Sequence, residues 1–349
     1  MRIDELDKNF KIETKIKLKK PKAYDPRKAP FKIYGVTYEE GMYRRMPKSV
    51  ADSTNAGVSG LHEHTAGGRI RFKTNSKYVA IKTRSQYLDM HHMALVGSSG
   101  FDLYVGHEEE YARSFIPTEE RVDDGYESVA HFPTRKMREL TLNMPLYSRV
   151  YELYIILEEG ATVESADDYD YEKPIVYYGS SITQGGCASR PGNCYQGHIS
   201  RALNTNYINL GFSGSARGED TMAEYIAGLN MSAFVYDYDH NAPTVEHLRA
   251  THERMFKLIR AKHPTLPILI LSRPSTKLDK SERERLNIIK QTYINAIEAG
   301  DKNVCFIPGN RLMKIAGDDG LVDGCHPTDL GFYSMAMVML PTVRKMLNI

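Results

Sequence analysis

The stretch Ile175-Val176-Tyr177-Tyr178-Gly179-Ser180-Ser181-Ile182-Thr183-Gln184-Gly185 decides how this chain is read. An apolar and aromatic run gives way at once to glycine and hydroxyl side chains, the pattern of a buried strand that ends in a tight turn. Ser181 stands just past the carboxyl end of that strand, with glycines on both sides that let other backbone come close. Near the far end of the chain, Asp323-Gly324-Cys325-His326-Pro327 supplies an acid and a base three residues apart. Serine, base and orienting acid are the ingredients of acyl transfer.

Working outward, the residues after 170 alternate between short apolar runs and longer amphipathic ones. Strands are expected at Ile175–Tyr178, Tyr207–Leu210, Ala233–Tyr236, Ile268–Leu271 and Val304–Ile307. Helices are expected over Val245–Lys262 and Ser281–Ala299. In the first, Leu248, His252, Met255, Phe256 and Ile259 share one face; in the second, Leu286, Ile289, Tyr293 and Ile297 do, with Gly300 as a stop. Strands joined by helical crossovers imply a parallel sheet covered on both faces, with ligands beyond its carboxyl ends.

Before residue 170 the rhythm differs. Ile70 and Phe72 alternate with basic residues, and period-two runs recur around Val79 and Ile81, Leu140 and Leu142, and Leu153, Ile155 and Leu157. Turn clusters such as Thr65-Ala66-Gly67-Gly68 separate them, which reads as an antiparallel β-sandwich. An acidic stretch from Glu158 to Asp170 reads as a turn followed by a linker. The expected division is therefore an accessory sandwich over 1–170 and a catalytic α/β domain over 171–349. The basic opening, Lys11 to Lys28, reads as an edge strand or strap with a solvated face.

Composition narrows the class. The 349 residues are 41% hydrophobic and 26% charged with a net charge of +2, so no global field favours nucleic acid or anionic membranes. No apolar run is long enough to cross a bilayer, and the start lacks the apolar core of a secretory signal, so a cytoplasmic protein is expected unless a signal peptide has been removed. Four cysteines make no disulfide framework. A loop-closing Cys187–Cys194 bridge is weighed against two free thiols, and the free thiols are favoured. No cysteine pair has metal-ligand spacing, and neither metal nor cofactor is expected.

Four segments fall at the strand ends or in the last loop: Gly179-Ser180-Ser181, Gly211-Phe212-Ser213-Gly214-Ser215, Asp237-Tyr238-Asp239-His240-Asn241 and Asp323-Gly324-Cys325-His326. In this order they resemble the SGNH hydrolases, the family also named for its Gly-Asp-Ser-Leu motif, over roughly residues 172–349. The resemblance implies a flavodoxin-like three-layer domain in which Ser181 is the nucleophile, His326 the base and Asp323 its orienting acid. It also implies an oxyanion hole built from Ser181, Gly214 and Asn241. Ser180 departs from the family, where aspartate is usual, and Ile182 stands where leucine often is. Neither position reacts.

The first half adds a second resemblance. Gly100-Phe101-Asp102-Leu103-Tyr104 is similar to the Gly-x-Asp-Leu-Tyr motif of a β-rich domain that precedes some SGNH esterases, as is Leu142-Asn143-Met144-Pro145-Leu146-Tyr147. Such a domain could supply one wall of the cleft. Arg190, in the loop after Ser181, either binds a polar or anionic substrate group or braces its own loop. His62-Glu63-His64 is weighed as a metal pair on one strand face, and His91-His92 as a polar turn.

The expectation is a serine esterase of short-chain O-acyl esters, acting on a small-molecule or oligosaccharide ester and, most specifically, a carbohydrate O-acetyl esterase. A thioesterase or lysophospholipase is the competing enzymatic reading, and an inactive carbohydrate-binding protein the non-enzymatic one. Neither nucleic acid nor membrane is expected as a partner; a homo-oligomer is left open.

Overall fold

The computed structural model describes residues 16–106, 110–117 and 125–349. The first half is built from β1 (Pro21–Tyr24), β2 (Lys32–Tyr34), β3 (Thr37–Glu39), β4 (Met42–Arg44), β5 (Arg69–Thr74), β6 (Tyr78–Ser85), β7 (Phe101–Val105), β8 (Glu110–Phe115), β9 (Tyr126–His131), β10 (Arg138–Asn143), β11 (Val150–Glu158) and β12 (Val163–Glu164). One sheet runs β1-β11-β6-β9 and a second β12-β5-β10-β7-β8, with β2 also on β5; β3 and β4 form a separate hairpin. All these pairings are antiparallel.

The two sheets meet through alternate residues. Ile70, Phe72, Leu103, Leu140 and Leu142 from one sheet and Val79, Ile81, Leu153, Ile155 and Leu157 from the other form one buried core. Each such side chain contributes roughly 1.5–3 kcal/mol by leaving water. Of the basic opening, the part before residue 16 lies outside the described residues, and β1 is an edge strand whose first three residues are exposed. The acidic stretch is more than a linker. Within it β12 pairs with β5, and Asp167 and Asp168 meet Lys73 and Lys32.

The second half is a five-stranded parallel sheet of β13 (Tyr171–Gly179), β14 (Thr205–Gly211), β15 (Ala233–Asp237), β16 (Ile268–Leu271) and β17 (Val304–Ile307), in the order β14-β13-β15-β16-β17. Its strands are apolar on both faces because both are covered. Val176, Tyr178, Phe234, Tyr236, Ile268 and Ile270 pack on one side with Met222, Leu248, Ile259 and Ile289. Ile175, Tyr177, Val235, Leu269 and Leu271 pack on the other with Ile199, Phe332, Met335 and Met339.

The helices of this half are α1 (Ser181–Gln184), α2 (Tyr195–Leu203), α3 (Asp220–Ala227), α4 (Val245–Lys262), α5 (Lys280–Glu298) and α6 (Asp329–Leu347), besides short turns, and the first half carries short helices at Lys48–Thr54, Ala56–Leu61 and Leu95–Ser99. Thr244 caps α4, Thr328 caps α6, and α5 opens with a capping box between Asp279 and Glu282.

β14 is one edge of this sheet, and arginines from the first half close it. Arg45 donates to the carbonyls of Gly211 at 2.6 Å and Asn209 at 3.2 Å. Arg69 donates to that of Tyr207 at 3.0 Å and lies 3.7 Å from its ring centre. A strand edge that could otherwise recruit foreign backbone is thereby satisfied.

Candidate active site

The chain passes from β13 to β14 on one side of the sheet and then crosses to β15 on the other. The loops after these three adjacent strands therefore open together at their carboxyl ends. They carry Ser181, Gly214 and Asn241, in that order.

Ser181 is the first residue of α1. Ser180 caps that turn, its hydroxyl accepting the N–H of Ile182 at 3.2 Å, and Gly185 ends it in the left-handed region at φ 111°. A serine at position 180 thus meets the same capping demand that an aspartate meets, since both are strong N-caps. Beneath the turn, the Thr183 hydroxyl donates to Asp237 at 3.0 Å, and the Thr183 carbonyl accepts from Gln196 and Asn209, each at 2.7 Å. Burial pushes the Asp237 carboxyl up to about 7, with the Asp239 charge adding to it and the Thr183 hydrogen bond opposing it.

The last loop delivers the other two groups. Asp323 Oδ1 accepts the backbone N–H groups of Cys325 at 3.0 Å and His326 at 2.7 Å, so the carboxylate organises its own turn, with Gly324 at φ 79°. Asp323 Oδ2 lies 2.7 Å from His326 Nδ1, and His326 Nε2 lies 2.9 Å from Ser181 Oγ. With its N–H donated to Asp323, the imidazole presents Nε2 as an acceptor for the serine hydroxyl. Burial works against the Asp323 charge, yet the three N–H donors together hold its carboxyl down at about 2. Asp323 and His326 keep 36% and 22% of their side-chain surface exposed, so the site opens to solvent.

The loop bearing Gly214 is held by a residue that sequence reasoning passed over. Gln184 is buried; its Oε1 accepts the N–H of Ser213 at 3.0 Å, while its Nε2 meets the Leu146 carbonyl at 3.1 Å and His64 Nδ1 at 3.2 Å. Its only signal in the sequence was its place inside the serine turn. Gly214 takes φ 66°, and Asn241 Oδ1 accepts from Ala216 N–H at 3.4 Å, which turns the amide nitrogen the other way.

The sandwich grips the site in several places. Tyr147 donates to the Ser181 carbonyl at 3.2 Å. Asp102 is fully buried and accepts from Gly192 N–H and Asn143 Nδ2, each at 2.8 Å; burial raises its carboxyl despite these donors. A side chain at position 192 would run into Tyr104 and Asp102, so only glycine fits there. Arg190 faces the sandwich: it donates to Tyr104 Oη at 2.5 Å, lies 3.5 Å from Asp102 and covers the Tyr111 ring at 3.9 Å. This places its guanidinium in the bracing arrangement.

The histidine pair weighed as metal ligands is not one. His62 ends a helix instead of lying on a strand, and its ring is engaged by Arg44 at 2.8 Å and the Ser59 carbonyl at 2.6 Å; His64 faces Gln184. Cys187 and Cys194 are free thiols. Burial pushes the Cys187 thiol up to about 12. His92 lies in an exposed turn, and its ring centre is 5.5 Å from that of His326. No helix among the described residues is long and apolar enough to cross a membrane.

Known proteins match both halves. The GDSL-like Lipase/Acylhydrolase family matches residues 172–344, and the domain described as the N-terminus of SGNH-hydrolase-type esterases matches residues 22–163. A GDSL-like lipase from Bacteroides ovatus is similar at 28% identity and TM-score 0.84, covering 94% of this chain and 98% of its own. The fold is shared with an acetyl xylan esterase from the rumen bacterium Butyrivibrio proteoclasticus at 12% identity and TM-score 0.61, over 95% and 99% of the two chains. It is shared also with a family two carbohydrate esterase from Clostridium thermocellum, solved in complex with cellohexaose, at 13% identity and TM-score 0.59, over 82% and 94%. Among curated proteins no relative matches.

Proposed function

Because this chain belongs to the GDSL-like hydrolases of the SGNH type, we propose that it is a serine esterase that removes short acyl groups, acetyl above all, from carbohydrate hydroxyls. The observation that carries the reading is the unbroken line from Asp323 through His326 to Ser181, at 2.7 and 2.9 Å. In this reading His326 Nε2 takes the Ser181 proton as Oγ attacks the ester carbonyl, then gives it to the departing sugar hydroxyl. Water, deprotonated by the same nitrogen, releases the acid from the acyl-enzyme. The N–H groups of Ser181 and Gly214 and the Asn241 amide, on three adjacent loops, receive the oxyanion; one such donor typically supplies about 2.7–4 kcal/mol.

The exposed acid and base suit a hydrophilic alcohol that stays partly in water. The shared fold of the two carbohydrate esterases is compatible with that preference. The test is acetate release from acetylated oligosaccharides and small aryl acetates, compared with acyl thioesters and long-chain esters. Acetate release with a steep loss of rate on lengthening the acyl chain supports the reading. Preference for long acyl chains or thioesters would replace it, and no turnover on any of them would leave a binding protein.

A further inference from the structure

One nitrogen of His92, the sulfur of Cys187 and one nitrogen of His326 all lie within 4.8 Å of one another. They come from three separate parts of the chain: an exposed turn of the sandwich, the loop behind the candidate nucleophile and the last loop. From this cluster we infer that the protein binds a soft divalent cation, Zn2+ or Cd2+, across the mouth of the site, and that the bound ion switches hydrolysis off.

The donor set fits that class of ion. Two imidazoles and a thiolate favour zinc-like cations over Mg2+ or Ca2+, which take oxygen ligands. Metal–nitrogen bonds of about 2.0–2.1 Å and a metal–sulfur bond of about 2.3 Å require donors closer together than they stand, by on the order of 1 Å. His92 can supply that movement because its turn is exposed, whereas Cys187 is nine-tenths buried. The His326 nitrogen available is Nε2, since Nδ1 is held by Asp323 at 2.7 Å. Carboxylate, imidazole and outward-facing Nε2 form the support that metal-binding histidines commonly have.

On binding, the Cys187 thiol gives its proton to solvent as the metal–sulfur bond forms. Both imidazoles enter neutral, the ion sheds water, and no electrons move. Water or the Ser181 hydroxyl completes a tetrahedron. The lone pair that would accept the Ser181 proton is then committed to the metal, so the base is lost. Inhibition, unlike binding, rests on the esterase reading above.

The test uses the whole chain freed of metal with a chelator. Co2+ is added first, because a thiolate bound to cobalt gives a near-ultraviolet charge-transfer band that needs no turnover. The band is expected in the native protein and in Ser181→Ala, and is expected to vanish in Cys187→Ser and weaken in His92→Ala. Aryl acetate hydrolysis is then followed with Zn2+; about tenfold inhibition at ~100 µM, reversed by chelator, corresponds to a Kd of roughly 10 µM. His92→Ala should retain metal-free activity and lose at least ~10-fold in zinc sensitivity. No cobalt–thiolate band, or equal zinc sensitivity in native and His92→Ala proteins, overturns the site. A band without esterase turnover would keep the site and remove only the esterase reading.

Discussion

The carboxylate of Asp102, inside the β-sandwich, accepts the backbone N–H of Gly192, in the loop that follows the candidate nucleophile, at 2.8 Å. The sandwich thus fastens a loop of the α/β half by a buried, charge-assisted hydrogen bond. Replacing Asp102 by alanine strands the Gly192 N–H and the Asn143 amide, each costing about 1–3 kcal/mol when left without a partner in the interior. Urea unfolding should show that loss, and acetyl ester turnover should fall with it. Unchanged stability would remove Asp102 as a fastener.

Ser181→Ala should lower turnover by at least about 10³-fold while leaving the circular dichroism spectrum and midpoint of unfolding nearly unchanged. Substantial residual turnover would place the nucleophile elsewhere.

Asp323→Asn should cost on the order of 10²–10⁴ in kcat, because the amide cannot hold the imidazole in the tautomer that accepts at Nε2. With its carboxyl at about 2 in the folded chain, below the unfolded value near 3.8, Asp323 favours folding above pH 4. That contribution is lost as pH falls from about 4 through 2. Acid unfolding of Asp323→Asn should therefore be less steep in that window.

Asp237 works in the opposite direction. Its folded carboxyl, near 7, binds a proton that the unfolded chain releases near 3.8. Its contribution to stability is full below about pH 4 and declines as pH rises through 7. Denaturant titrations at several pH values should show a flatter dependence over pH 4–7 in Asp237→Asn than in the native protein. Equal slopes would refute the assignment.

Gln184→Ala should lower kcat about 10- to 100-fold with little change in KM, because the loop carrying Gly214 loses its anchor at Ser213 N–H and the proposed oxyanion donor drifts. A change confined to KM would count against that role.

Much of this was legible beforehand because it is local. The strand before Ser181 announces itself by an apolar run cut off at glycine, and Ser180 keeps the capping chemistry of the turn although it departs from the family pattern. Asp323 and His326 lie three residues apart, so one Asx-type turn joins them. The acidic stretch misled, since its short β12 carries no periodicity long enough to show. His62 and His64 misled for another reason: alternation suggests a strand face, but a helix ends at His62 and both rings are consumed by neighbours.

The sequence by itself determined the two-part architecture, the parallel sheet and the order of the candidate site residues, because these follow from periodicity and from turns closed by near neighbours. Tertiary structure alone decided that Gln184 ties His64 to Ser213, that Asp102 holds Gly192, that Arg190 faces inward and that His92 stands over His326. Gln184 and His64 are 120 residues apart and Asp102 and Gly192 are 90 apart. Contacts of that span leave no local pattern; they exist only once the sandwich has docked against the sheet and buried groups must find partners across the seam.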